Sequence, residues 1–135
     1  MVELLGGADI RALADALGVV PTKKLGQNFV TDPNTIRKIV AQAKLTGDET
    51  VVEIGPGLGS LTLGLLEVAK NVIAVEIDSR LANQLPLTAK LHSDRSEILT
   101  VINQDALQLK SLPVNPTVLV ANLPYNVSVP VFLHL

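Results

Sequence analysis

The segment 53-EIGPGLGSLT-62 sets glycines at 55, 57 and 59 behind an acid, Glu53. Glycines at this spacing let a backbone turn sharply and approach a ligand closely. A helix following such a turn directs its N-terminal N–H groups and positive dipole end at that ligand. Glu76 lies 21 residues beyond Gly55, where a carboxylate at a strand end accepts both hydroxyls of a ribose. Asp105, in 103-NQDAL-107, is placed to accept an adenine amino group, although Asp after a strand is also ordinary turn chemistry. Together these groups point to a nucleoside or nucleotide ligand.

The spacing is G-x-G-x-G rather than the G-x-G-x-x-G of the pyrophosphate fingerprint. Glu53, expected at the mouth of the site, would repel a pyrophosphate and favour a cation, directly or through ordered water. S-adenosylmethionine carries a sulfonium and an ammonium, so chemistry and spacing favour it over a nicotinamide dinucleotide. A fourth feature, 122-NLPY-125, then gains a role. The exocyclic amine of a base is a poor nucleophile, because its lone pair is delocalised into the ring. Two acceptors, the Asn122 side-chain oxygen and the Leu123 carbonyl, would hold that amine and draw it toward a nucleophilic geometry. Pro124 restricts Leu123 to an extended conformation, and Tyr125 offers a flat surface for an extruded base. No metal or covalent nucleophile is required, in keeping with zero cysteines and two isolated histidines, His92 and His134.

Those groups need a scaffold, and the composition supplies one. The chain has 135 residues, enough for about one domain with its own core. No apolar run approaches the roughly 20 residues of a membrane helix, and the N-terminus lacks the pattern of a signal peptide. A cytoplasmic location is expected, with no membrane partner. The formal charge of −2 argues against a strongly basic nucleic-acid binder, so a polyanion must be gripped locally or by sequence outside this chain.

Strands are expected at 50–54, 71–77, 97–102 and 117–121, all near-continuous apolar runs that suit a parallel sheet covered on both faces. Helices are expected at about 60–69 and 79–91, with Pro86 kinking or splitting the second. This alternation predicts a doubly wound α/β domain. Upstream, Ile10, Leu13, Ala14 and Leu17 follow helical spacing, with Asp9 as cap and Gly18 as stop. A second helix is capped by Asp32, begins at Pro33 and ends at Gly47. The closing stretch 127-VSVPVFLHL-135 reads as the start of a core helix whose partners are missing. On that reading the sheet is truncated after its fourth strand, which is left as an open edge prone to self-association.

Five motifs in order, 25-LGQNFVTD-32, 53-EIGPGLGSLT-62, 73-IAVEID-78, 104-QDA-106 and 121-ANLPYNVS-128, resemble those of the bacterial small-subunit ribosomal RNA adenine dimethyltransferases. The erythromycin-resistance methyltransferases are close kin. The resemblance covers 22–135, the N-terminal part of a Rossmann-like S-adenosylmethionine-binding catalytic domain, and leaves 1–21 as a helical extension without a functional reading. It implies N6,N6-dimethylation of two adjacent adenosines near the 3′ end of 16S rRNA, in the immature small ribosomal subunit, and a part in checking its maturation. It implies that Asn28 and Val30 contact the cofactor, that Gly55 lies against its methionine part, and that Glu76 and Asp105 hold ribose and adenine. Asn122 would serve both cofactor and target amine, with Tyr125 stacking on the base. Phe29 is expected to pack over the site from the other side, and Glu53 and Gly57 complete the cofactor set. Family members are about twice as long, with further strands and a helical C-terminal domain, so this chain alone is expected to have little or no activity. Three alternatives remain open at this point: methylation of large-subunit rRNA, a ribosome-assembly RNA-binding module in which methylation is secondary, and a nicotinamide-dependent oxidoreductase.

Overall fold

The structure, a computed structural model, describes residues 3–18, 33–113, 115–122 and 130–134. Helix α1 spans Gly7–Leu17 and buries Ile10 and Ala14 at helical spacing. Gly18 ends it in the left-handed region, φ 68°, where its N–H meets the carbonyls of Ala14 and Asp15. Asp9 is not the N-cap that its position suggested. It is the third residue of the helix, and its Oδ2 accepts the Gly6 N–H at 3.0 Å. Helix α2, Pro33–Gln42, starts on the proline as expected, and the expected cap Asp32 lies outside the described residues. It ends well before Gly47: Lys44 takes φ 53°, and the N–H groups of Ala43 and Lys44 close the last turn on Val40 and Ala41. Gly47 instead belongs to the turn into the sheet, donating to Glu49 Oε1 at 2.9 Å.

The sheet comprises β1 (Thr50–Ile54), β2 (Asn71–Glu76), β3 (Leu99–Asn103), β4 (Val118–Asn122) and β5 (Pro130–His134). Their order is β3-β2-β1-β4-β5, parallel except for β5. Helices α3 (Ser60–Val68) and α4 (Ser79–His92) make the crossovers from β1 to β2 and from β2 to β3. The order reverses beside β1, where a doubly wound sheet opens its crevice between the strands' carboxyl ends. Register places Val51 level with Val72 and Val118, and Val52 level with Ile73 and Leu119. Alternation therefore sends the first set to one face and the second to the other. The first set joins one core with Leu5, Ile10, Ile36, Val40, Leu61, Leu65 and Ala89, so all four helices contribute to the same side. On the other face Val52, Ile73 and Val75 are met by Ala106, Leu109 and Leu112, around a short 3-10 turn at Ala106–Gln108. The expectation of cover on both faces holds, but among the described residues the second cover is this segment rather than a helix.

Three further expectations are corrected. The split at Pro86 does not occur: α4 continues through it as one helix, with Ala82, Leu85, Thr88 and Ala89 buried on either side of it. That continuous packed stripe outweighs the roughly 3 kcal/mol that an interior proline costs. Strand β3 starts at Leu99, because Ser96–Ile98 forms a 3-10 turn, and it is half-exposed since it is a sheet edge. The largest difference is at the end of the chain. Where a core helix was expected, Pro130–His134 forms a strand antiparallel to β4, pairing Val120 with Phe132 and Asn122 with Pro130. Val131 and Phe132 are residue types that favour strands, and proline is tolerated at a strand's first position. The edge of β4 that the sequence left open is thus covered. Among the described residues, no helix is long and apolar enough to cross a membrane.

Candidate active site

The carboxyl ends of β1, β2, β3 and β4 lie along one edge of the sheet. Ile54 pairs with Val75 and Ala121, and Glu76 pairs with Asn103. The glycine loop leaves β1 at this edge. Gly55, Gly57 and Gly59 take φ values of 72°, 60° and 101°, which side chains with a Cβ adopt only under strain. Their surroundings differ. A Cβ on Gly57 would meet nothing within 4 Å, so the loop faces open space there. A Cβ on Gly59 would lie 2.6 Å from Leu85 Cδ1, so the close approach at this third glycine is to helix α4.

Glu76 ends β2 at the place its spacing indicated, and it is tied into the loop. Its Oε1 accepts the Gly57 N–H at 3.0 Å and its Oε2 accepts the Asp78 N–H at 2.9 Å. Its own carbonyl receives the Gln104 N–H and the Asn103 side-chain amide, which fixes β3 against it. Each carboxylate oxygen keeps a further lone pair for a ligand. Asp105 is half-buried and caps the short turn that follows β3, its Oδ1 accepting the Leu107 N–H at 2.9 Å.

Glu53 lies deeper than a residue at the mouth of a site. It is 0% exposed, on the helix-bearing face of β1. Its Oε1 accepts the Thr62 hydroxyl of α3, while Oε2 has no partner. Burial pushes its carboxyl from 4.5 up to about 7; the Thr62 bond pulls the other way, and the negative charge of Glu76 adds to the rise. An unpartnered buried oxygen is costly unless something else supplies a donor or a positive charge. Asn122 occupies the last position of β4, one residue past the partner of Ile54. Asn28, Phe29, Val30, Leu123, Pro124 and Tyr125 lie outside the described residues.

Four contributors went unread in the sequence: the N–H groups of Gly57 and Asp78, Asn103, and Thr62. Backbone donors leave no mark on residue type. Thr62 does leave one, as a hydroxyl inside the apolar helix 61-LTLGLL-66. A buried hydroxyl must find an acceptor, and Glu53 is nine residues away.

A profile of the family described as "Ribosomal RNA adenine dimethylase" matches residues 21–135. The chain belongs to the ribosomal RNA adenine dimethylase family. Among curated relatives in the family's territory, Ribosomal RNA small subunit methyltransferase A of Leifsonia xyli subsp. xyli is 62% identical over 135 residues, covering 99% of this chain and 48% of the relative. The protein of the same name from Corynebacterium glutamicum (strain R) is 60% identical over 136 residues, covering 98% and 46%. The chain thus spans about half the length of the curated relatives it matches. Among solved structures, the 23S rRNA methyltransferase ErmE superposes with a TM-score of 0.58 at 36% identity, covering 70% of this chain and 36% of that one. A dimethyladenosine transferase from Plasmodium falciparum gives 0.58 at 34%, covering 70% and 33%.

Proposed function

We propose that this chain carries the cofactor-binding part of an S-adenosylmethionine-dependent enzyme that dimethylates the N6 amines of two adjacent adenosines near the 3′ end of 16S rRNA. Its substrate would be the immature small ribosomal subunit in the cytoplasm. The observation that carries the reading is Glu76, a carboxylate built into the glycine loop through Gly57, at the edge where the strand order reverses. The residues present fit the cofactor: Glu76 has lone pairs for a ribose diol, Gly57 faces open space, and the unpartnered Glu53 Oε2 suits a cationic group. The cofactor would supply a methyl group on a sulfonium, already a good leaving group.

The chain's own residues would do the rest. Glu76 holds the ribose, Asp105 the adenine amino group, and Gly55 and Gly57 let the backbone approach the methionine part. Glu53 faces the ammonium. Asn28 and Val30 would add contacts to the cofactor. Asn122 and the Leu123 carbonyl accept from the target amine, Pro124 aims that carbonyl, and Tyr125 stacks on the base. Calorimetry with S-adenosylmethionine and with NAD tests the cofactor: binding of the first and not the second is expected, and the reverse would refute the reading. In the full-length protein, Glu76→Ala and Asn122→Ala should each abolish methyl transfer to unmodified small subunits. Wild-type turnover in both would refute the site.

Large-subunit rRNA is a second reading, favoured by the likeness to a 23S rRNA methyltransferase. The higher identity to the small-subunit relatives favours the first, and parallel assays on both RNAs separate them. Binding to immature subunits that survives Asn122→Ala would instead favour an assembly module.

A further inference from the structure

Thr62 closes the glycine motif without a role in the reading above, yet it is 0% exposed and, among the described residues, makes the one side-chain hydrogen bond to Glu53. Its helix begins directly after the glycine loop, so the bond spans the β1–α3 turn from within. The carboxylate it touches has two inequivalent oxygens, one taken by the hydroxyl and one buried without a donor. Around Glu53, β2 contributes the charge of Glu76, β4 places Val120 in register, and α3 contributes the neutral Thr62. Among the described residues, no cation acts on this acid.

We propose that Thr62 is a positioning residue for cofactor binding: by holding Glu53 Oε1 it fixes the carboxylate's rotation and presents Oε2 to the cofactor's ammonium. The inference rests on the cofactor reading above and adds a residue that the reading does not need. A hydroxyl donor also favours the ionised carboxylate, opposing the burial that favours the neutral acid. Thr62 therefore controls both the direction of the acceptor and the fraction of molecules carrying the charge that the ammonium needs. Removing the hydroxyl leaves Glu53 free to rotate and more readily protonated.

The test uses Thr62→Val, which keeps the shape and deletes the donor, with Thr62→Ala as a second donor-less variant should the valine chain not fold. Thr62→Ser restores the donor. The titration of the Glu53 carboxyl carbon is followed by NMR without cofactor, and the affinity for S-adenosylhomocysteine, which keeps the ammonium and lacks the sulfonium, is measured at pH 6.5 and 9. The donor-less variants should titrate at higher pH than wild type, and Ser should return the midpoint toward it. Affinity should fall at pH 9, where the carboxylate is ionised but free to rotate, and, if the midpoint rises by about one pH unit, the fall should be about sevenfold larger at pH 6.5. An unmoved midpoint, or an affinity unchanged at pH 9, would overturn the positioning role. Glu53→Gln separates the two layers of the argument. Unchanged ligand affinity in that variant refutes the ammonium assignment, whereas lost affinity in it beside an affinity unchanged at pH 9 in Thr62→Val refutes only the role of Thr62.

Discussion

Glu53→Gln should remove a loss of stability that the wild-type protein suffers as pH rises through 7. Glu53 is fully buried, and its carboxyl sits at about 7 in the folded chain against an ordinary 4.5. At 1.36 kcal/mol per tenfold in proton affinity, that difference corresponds to about 3.4 kcal/mol. The sign follows from which state holds the proton more tightly. The folded state does, so the full stability is present below pH 4.5 and is lost as pH rises through 7. Between pH 5 and 8 the loss amounts to about 2.5 kcal/mol. Glutamine cannot ionise and so escapes it. The new amide places an N–H₂ where Oε2 lacked a donor, a penalty of roughly 1–3 kcal/mol that does not vary with pH. The informative quantity is therefore the difference between variant and wild type at each pH, from urea unfolding at half-unit intervals between pH 5 and 8. Wild type should lose about 2.5 kcal/mol relative to the variant over that range. Parallel curves would refute the argument, because they would mean that Glu53 folds with its proton affinity unchanged.

Arg95 donates from Nη1 to the Glu67 carbonyl at 2.9 Å and from Nη2 to the Ala69 carbonyl at 2.8 Å, closing the C-terminal end of α3. Arg95→Ala should lower stability by about 1.5–3 kcal/mol in urea unfolding, and Arg95→Lys should recover only part, since an ammonium lacks the planar fork. A Cβ on Gly64 would lie 2.8 Å from Ile36 Cγ2 and 3.1 Å from Val40 Cγ2, so Gly64→Ala should push α3 from α2 and cost about 1–3 kcal/mol, read as a lower Tm. Glu76→Gln replaces one carboxylate oxygen with an NH2 donor, so the N–H of either Gly57 or Asp78 loses its acceptor. Calorimetry should show at least a tenfold weaker affinity for S-adenosylmethionine, about 1.4 kcal/mol, and unchanged affinity would exclude Glu76 from the site.

What the sequence could disclose tracks how local each signal is. Strand β1 begins and ends where the run 50-TVVEI-54 does, and β2 stops on the carboxylate that the spacing singled out, because an apolar run bounded by a glycine turn leaves little choice of register. Gly47 misled because a glycine after a helix looks like its stop, whereas Lys44 took the left-handed position first. Pro86 did not split its helix because its cost is local and its compensation is tertiary, in a stripe packed against β2 and β3. The stretch around Val131 and Phe132 fits either a buried helix or a strand, and the unpaired edge of β4 decided it. In the site, side chains at strand ends were readable by position. The N–H donors of Gly57 and Asp78 were not, since every residue but proline carries one.

The strand order also bears on the sequence of events by which the chain assembles. Thr50 pairs with Asn71 across 21 residues, but it meets Thr117 across 67. Closing the longer loop costs about 1 kcal/mol more in chain entropy. The unit β1–α3–β2 contains the glycine loop, Glu53, Thr62 and Glu76, and it needs only the near pairing. Asn122 reaches the same edge only once β4 has been drawn in beside β1. On a chain synthesised from its N-terminus, the groups assigned to the cofactor's ribose and methionine part are available to organise first, and the strand that carries the start of the target-facing segment joins a half already built.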